Sequence, residues 1–426
     1  LTDLRTLDRT ELENLYSRLE KQYLAFKSKN LALNMSRGKP SPDQLELSSG
    51  LFDSLDARTN KTADNIDVRN YGGVDGIREA KELFAEIFAV RPSEVIVGGN
   101  SSLTMMYDTI SRALLKGVRD SELPWGKLPQ IKFLCPSPGY DRHFAICEAL
   151  GIEMIPIDML DDGPDMDKIE ELVRKDDTIK GIWCVPKYSN PGGIIYSDEV
   201  VDRLAMMETK AADFKIFWDD AYTVHHLTDN PPHLKNILQA CSKAGHADRV
   251  FIFASTSKVT FPGSGVAAMA ASEANIKFIL DQLSVQMIGP DKINQLRHVR
   301  FLKNLDHINE HMKKHAKLIK PKFDLVLHEL EAQLGDQRIA SWSNPKGGYF
   351  ISLNTLDGCA AEVVKRAAAV GVKLTKAGAT FPYGKDPKDR NIRIAPTFPS
   401  LAELKMAIDV LCLCVQMVSV EKLLTN

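Results

Sequence analysis

An apolar run of strand character, "VFIFAS" (250–255), passes straight into "TSKVTFPG", with Lys258 between small hydroxyl residues and a Pro-Gly turn. An ammonium group beside a buried strand is costly unless it is paired or neutralised. Lys258 therefore either reaches water from a surface loop or is kept dry so that its amine can attack a carbonyl. Four other stretches set polar or reactive residues just past apolar runs. In "VGGNSSLTMM" (97–106), Asn100, Ser101 and Ser102 lie between a double glycine and a helical pattern. They either hold a phosphate at the positive end of a helix dipole or simply cap the helix. "CPSPGYDRHF" leaves Tyr140 past a strand, free to stack on a flat ring or to cover core. "VPKYSNPGG" puts Asn190 before Pro-Gly-Gly, which makes either a plain turn or an amide fixed to donate into a cleft. "FKIFWDDAY" ends in Asp219 and Asp220, and a carboxylate at a buried strand end calls for a cationic partner. Tyr222, two residues beyond Asp220, is placed to reach the same cleft.

The elements that must position these residues follow from the pattern between Glu94 and Ala270. Seven strands are expected, at "EVIVGG", "IKFLCP", "EMIPID", "IKGIWCVP", "FKIFWDD", "VFIFAS" and "GVAAMAA", with amphipathic helices between them. Continuous apolar strands alternating with helices predict an α/β fold with a mostly parallel seven-stranded sheet covered on both faces. Ligands bind such sheets at the carboxyl ends of the strands, where the residues above fall. Past Ala271 the pattern turns to long charged helices, then to short strands at "PKGGYFISLN" and "NIRIAP" and a final helix from Leu401. At 426 residues two domains are expected. They divide as an N-terminal segment 1–48 belonging to a small α+β domain, a large domain 49–295, and the rest of the small domain, 296–426.

Composition narrows the partners. The formal net charge is −2 and the basic residues are scattered, so no nucleic-acid footprint is expected. The seven cysteines lie far apart without a C-x-x-C pair, so they read as reduced thiols of a cytoplasmic protein with no metal site. His143, His225 and His226 read as structural, because adjacent histidines on one element rarely share a ligand site. The opening segment lacks the apolar core of a signal peptide, and no run approaches the ~18 apolar residues of a membrane span. A soluble protein with no membrane partner is the expectation.

Taken in order, these stretches resemble the fold-type I, pyridoxal-phosphate-dependent aminotransferases of class I/II over nearly the whole chain. "PGYDRHF" and "STSK" most resemble the divergent aspartate aminotransferase subgroup Ic. The resemblance implies pyridoxal 5'-phosphate as cofactor, with Lys258 carrying it and then moving a proton between the substrate Cα and the cofactor. It also implies that Asp219 keeps the pyridine nitrogen protonated, that Asn190 and Tyr222 hydrogen-bond the phenolic oxygen, and that Tyr140 stacks on the ring. Asn100, Ser101 and Ser102 would form the phosphate cup, and Ser255, in the S-x-x-K element with Lys258, would also bind the cofactor. Tyr71, in "YGGVDGIREA", would reach the cofactor phosphate of the other subunit of a homodimer. "PKGGYF" and "NIRIAP" resemble the small-domain elements, so Arg393 would clamp the substrate α-carboxylate, and Gly38 in "SRGKP" would line the substrate site. One departure stands out. Most relatives place a phosphate-binding arginine a few residues after the lysine, and "FPGSGVAAM" has none there.

A dicarboxylic substrate needs a second cation. Arg142, two residues past Tyr140, is the candidate, with Arg37 and Lys39 as runners-up; Lys39 is a point charge, less suited to a planar carboxylate. The expected reaction passes the amino group of L-aspartate or L-glutamate to 2-oxoglutarate or oxaloacetate by a ping-pong mechanism. A β-lyase or decarboxylase of the same fold uses the same residues and stays open. An effector-sensing domain behind a DNA-binding helix-turn-helix is disfavoured, since one mixed-charge helix precedes "LNMSRGKP".

Overall fold

The computed structural model describes residues 2–425. The seven apolar runs form β1 (Val95–Val97), β2 (Lys132–Ser137), β3 (Glu153–Leu160), β4 (Ile179–Cys184), β5 (Lys215–Asp219), β6 (Val250–Ser255) and β7 (Ala267–Ala270). They lie in the order β1-β7-β6-β5-β4-β2-β3. Every neighbouring pair from β6 across to β3 is parallel, and β7 alone runs antiparallel to both its neighbours, β6 and β1. An eighth strand of two residues, Gly163–Pro164, folds back antiparallel on the end of β3 and exceeds the expected seven. The cause is local: "DDGP" is a turn, and Gly163 takes a φ of +144° that few other residues adopt.

β4 and β5 are buried along their whole length. Because successive side chains point to opposite faces, Ile182, Ile216, Trp218 and Ile252 enter one core while Trp183, Phe217, Phe251 and Phe253 enter the other. A third core gathers Leu12 and Leu19 of the first long helix, the C-terminal half of the helix Leu305–Leu334, and the final helix Leu401–Thr425. The last is buried over most of its surface from Leu404 to Val420, as a largely apolar sequence broken only by Lys405, Asp409, Gln416 and Ser419 requires. A three-stranded antiparallel sheet, Ala340–Trp342, Ile351–Thr355 and Asn391–Ile394, packs there. Its first strand has no sequence counterpart among the expected elements, being three residues long and not fully buried.

The expected boundary at 295 passes through the helix Lys292–Leu302, whose Leu296 belongs to a core of the large sheet. The next helix, Leu305–Leu334, is the bridge: Ile308 and Met312 pack with Leu83 and Val259 on the large-sheet side, and Ile319 to Leu334 with the small-domain core. Among the described residues no helix is long and apolar enough to cross a membrane.

Candidate active site

Asp219, Tyr222 and Lys258 lie together past the carboxyl ends of β5 and β6. Lys258 is three residues beyond β6, with Nζ 5.0 Å from the Tyr222 ring centroid and 5.9 Å from that of Tyr349. Burial lowers its pKa below the usual lysine value, and the carboxylate of Asp219 partly opposes that shift. Asp219 closes β5 and is buried. Its Oδ2 lies 3.0 Å from Nε2 of His143, and its Oδ1 is buried with no hydrogen-bond partner.

Of the three histidines read as structural, His143 is the one that bonds directly to a candidate site residue, Asp219. It is the third residue of the helix Asp141–Ala149, which opens directly after Tyr140. The imidazole stacks on Trp183 at 4.2 Å between centroids and 6° between planes, and meets Tyr140 edge-on at 4.9 Å. With Asp219 ionised, Nε2 carries the proton and donates it. His225 packs against the rings of Tyr222 and Tyr349, at 5.7 and 5.6 Å between centroids, and neither it nor His226 bonds to Asp219. Both ring nitrogens of His225 are buried without partners, and His226 pairs through Nδ1 with the Tyr188 hydroxyl at 2.7 Å.

Arg393 sits in the last strand of the small sheet, 7% exposed. Its Nη1 donates to Asp141 Oδ1 at 3.0 Å and to Asn190 Oδ1 at 3.3 Å, the Phe350 ring lies 4.9 Å from the guanidinium carbon, and Nε is buried unpartnered. Gly38 is needed behind that ring: a Cβ there would come within 2.5 Å of Phe350 Cζ. Burial pushes the Tyr140 phenol up to about 12; Asp219 and Asp141 act in the same direction, and Arg142 and Arg393 act against them. Arg142 is exposed and has no side-chain partner among the described residues. Arg37 and Lys39 likewise form no ion pair there, and Lys39 lies over the Phe398 ring at 3.8 Å.

At the cup, Ser101 caps the helix Ser102–Lys116, and a Cβ on Gly99 would meet open space. Ser255 donates to Ser257 Oγ at 3.0 Å, and Ser257 donates to the carbonyl of Asn100 at 3.4 Å, so the lysine loop and the cup are joined. The loop past the lysine, where an arginine is missing, is held by another element. The Asn294 amide donates to the carbonyls of Ser264 and Gly265 at 3.0 and 2.8 Å, and Asn294 Oδ1 accepts from Arg297 at 2.6 Å. On the same helix Gln295 donates to the carbonyls of Val97 and Gly98, and Lys292 to that of Gly72. Tyr71, beside Gly72, is 80% exposed.

These residues fit pyridoxal phosphate. A buried carboxylate oxygen without a partner suits a pyridinium N–H, a buried amine of lowered pKa suits a carbonyl, and the open, hydroxyl-lined start of a helix suits a phosphate. Sequence reasoning passed over Asp141, Trp183, Tyr349 and Phe350, and read His143 as structural. For His143 there was a signal, since residues three apart at a helix start share a face and Tyr140 was already placed.

A parallel sheet with one reversed strand, a buried lysine past β6 and an acid ending β5 define a pyridoxal-phosphate-dependent transferase of fold type I. A crystal structure of an aspartate transaminase from Corynebacterium glutamicum superposes with a TM-score of 0.97 at 40% identity, covering 99% of each chain. The chain belongs to the aspartate amino-transferase family, whose model matches residues 7–426. The curated aspartate aminotransferase of Corynebacterium glutamicum is 41% identical over 98% of this chain and 96% of its own length. A Mycolicibacterium smegmatis protein is 48% identical over 99% of both chains. At 19% identity, LysN, the alpha-aminoadipate aminotransferase of Thermus thermophilus complexed with N-(5'-phosphopyridoxyl)-L-leucine, shares the fold with a TM-score of 0.74, covering 93% of this chain and 95% of its own.

Proposed function

We propose that this aminotransferase moves the amino group of L-aspartate or L-glutamate to 2-oxoglutarate or oxaloacetate, in two half-reactions that share one cofactor. The observation that carries the dicarboxylate choice is the 41% identity to the aspartate aminotransferase of Corynebacterium glutamicum over 98% of this chain. In this reading buried Arg393 takes the α-carboxylate, and exposed Arg142, without a side-chain partner among the described residues, takes the second one.

When bound, pyridoxal phosphate supplies a protonated pyridine ring that draws electron density from the substrate Cα. Asp219 accepts the pyridine N–H through Oδ1, while His143 holds Oδ2. Tyr140 covers the ring, and Asn190 and Tyr222 donate to its phenolic oxygen. Asn100, Ser101 and Ser102 hold the phosphate, and Ser255 also binds the cofactor. Lys258 carries the cofactor and moves the Cα proton, a task helped by an amine that burial keeps more neutral than an exposed lysine. Arg393 takes the α-carboxylate, and Gly38 leaves room for the Phe350 ring that lies against the guanidinium.

The working unit in this reading is a cytoplasmic homodimer in which Tyr71 serves the neighbouring site. The exposure of Tyr71 (80%), Val285 (89%) and Ile288 (63%) supports an apolar contact face. The domain division belongs to the same proposal, with its second boundary moved from 295 to the Leu302–Leu305 junction by the core membership of Leu296.

The test is spectroscopic. L-aspartate added without an oxo acid should bleach the visible band of the bound cofactor and release oxaloacetate, and 2-oxoglutarate should restore the band and leave as glutamate. A loaded protein indifferent to aspartate loses the substrate assignment but keeps Lys258. Pyruvate with ammonia, or alanine, as the product would make it a lyase or a decarboxylase. Failure to take up pyridoxal phosphate would sink the reading.

A further inference from the structure

Arg393 is gripped from one end only. Both N–H bonds of Nη1 are spoken for, by Asp141 Oδ1 at 3.0 Å and Asn190 Oδ1 at 3.3 Å. Nε is buried with no partner, and Nη2 donates to nothing among the described residues. A guanidinium binds a carboxylate best through two parallel bonds along one edge, and the Nε–Nη2 edge is the one left without a partner. Phe350 beneath the plane limits tilt.

The acid that does this comes from the other domain. Asp141 opens the helix that also carries His143, on the large-sheet side, whereas Arg393 lies in a small-domain strand opposite Ser352. The ion pair joins an arginine side chain 7% exposed to a carboxylate 34% exposed. The start of one helix thus carries Tyr140 and His143, which meet each other beside Asp219, and Asp141, which meets the arginine.

We propose that Asp141 is a positioning residue for Arg393, saturating Nη1 with Asn190 so that the Nε–Nη2 edge faces the substrate α-carboxylate. The proposal rests on the reading of Arg393 as the α-carboxylate group. It does not depend on aspartate, because every amino acid carries that carboxylate. Nor does Asp141 compete with substrate, since the two use different edges of the fork.

The experiment uses the loaded enzyme with Asp141→Ala, Asp141→Asn and Arg393→Lys. The readouts are the dissociation constant of α-methyl-L-aspartate, which has no Cα proton to move, from the cofactor absorbance, and KM and kcat for L-aspartate. Asp141→Ala should raise the dissociation constant and KM about tenfold, as for one lost charge-assisted bond, with kcat changed less than about threefold. Asp141→Asn keeps an acceptor oxygen and should stay within about threefold of the parent. Constants within about twofold of the parent in Asp141→Ala, or tighter binding in both Asp141 variants, overturn the proposal. An unchanged constant in Arg393→Lys removes the reading beneath it, and the proposal with it. If the parent ignores α-methyl-L-aspartate, only the aspartate assignment fails, and 2-aminoisobutyrate takes its place in the same comparison. Cofactor loading and melting temperature equal to the parent show that the Asp141 variants fold, and the isosteric Asn variant keeps the test decisive if the Ala variant does not.

Discussion

Nε2 of His143 lies 3.0 Å from Oδ2 of Asp219, with the two side chains 1% and 4% exposed. The carboxylate thus meets one donor from the protein and keeps Oδ1 for a second. His143→Ala strands a buried charge. The cofactor-free variant should unfold with a free energy lower by about 2 kcal/mol in urea titration. The loaded variant should convert aspartate roughly tenfold more slowly in stopped flow, as a 1.4 kcal/mol loss requires.

Gly38→Ala should act on the substrate at a distance. The new methyl must displace Phe350, and Phe350 supports the Arg393 plane. KM for the amino donor should rise about fivefold with kcat nearly kept, the pattern of weakened uniform binding. Stability should fall by about 1–3 kcal/mol, the cost of overpacking, which thermal melting checks.

Behind the lysine loop lie histidines that burial keeps neutral. His298 and His315 are pushed down to about 4, and His225 and His311 are lowered as well. Their folded values fall below the unfolded 6.5, so between about pH 6.5 and 4 the unfolded chain binds protons that the folded one does not. The stability these histidines contribute should therefore be present above pH 6.5 and be lost as pH falls through that window. His315→Gln, next to Gln44 and His311, should flatten the urea-midpoint profile. Its share is about 1.4 kcal/mol per pH unit near pH 5.5.

Asp220 gives the opposite sign. Burial raises its folded pKa from 3.8 to about 6, with Lys187 only partly opposing, and Oδ1 has no partner. Its contribution is fully present below pH 3.8 and is lost as pH rises through 6. Asp220→Asn should accordingly be more stable than the parent by about 3 kcal/mol at pH 7 and equal to it near pH 3.5. Unfolding curves at the two pH values test both halves of the statement.

The large sheet was legible because each of its seven main strands is an apolar run with a turn at its end, and the reactive residues sit at those ends. Short elements were not. Gly163–Pro164 and Ala340–Trp342 owe their pairing to neighbours, not to any period of their own. Within the site, residues that touch a cofactor stand in recognisable local patterns, as Asn190 and Lys258 do. Residues that act through another residue do not: Asp141 meets Arg393 across 252 positions, and Trp183 meets His143 across the sheet end. Such pairs follow from the fold, and no spacing in the chain announces them.

The helix Lys292–Leu302 bonds to three loops at once: the one bearing Tyr71, the end of β1, and the one past Lys258. Surface loops ordinarily gain and lose residues with little penalty. Here a residue inserted beside Gly72, Gly98 or Gly265 would pull a carbonyl off a fixed row of donors, Lys292, Gln295 and Asn294. The lengths of the three loops are therefore tied together, and a change in one demands a matching change in the helix or in the other two.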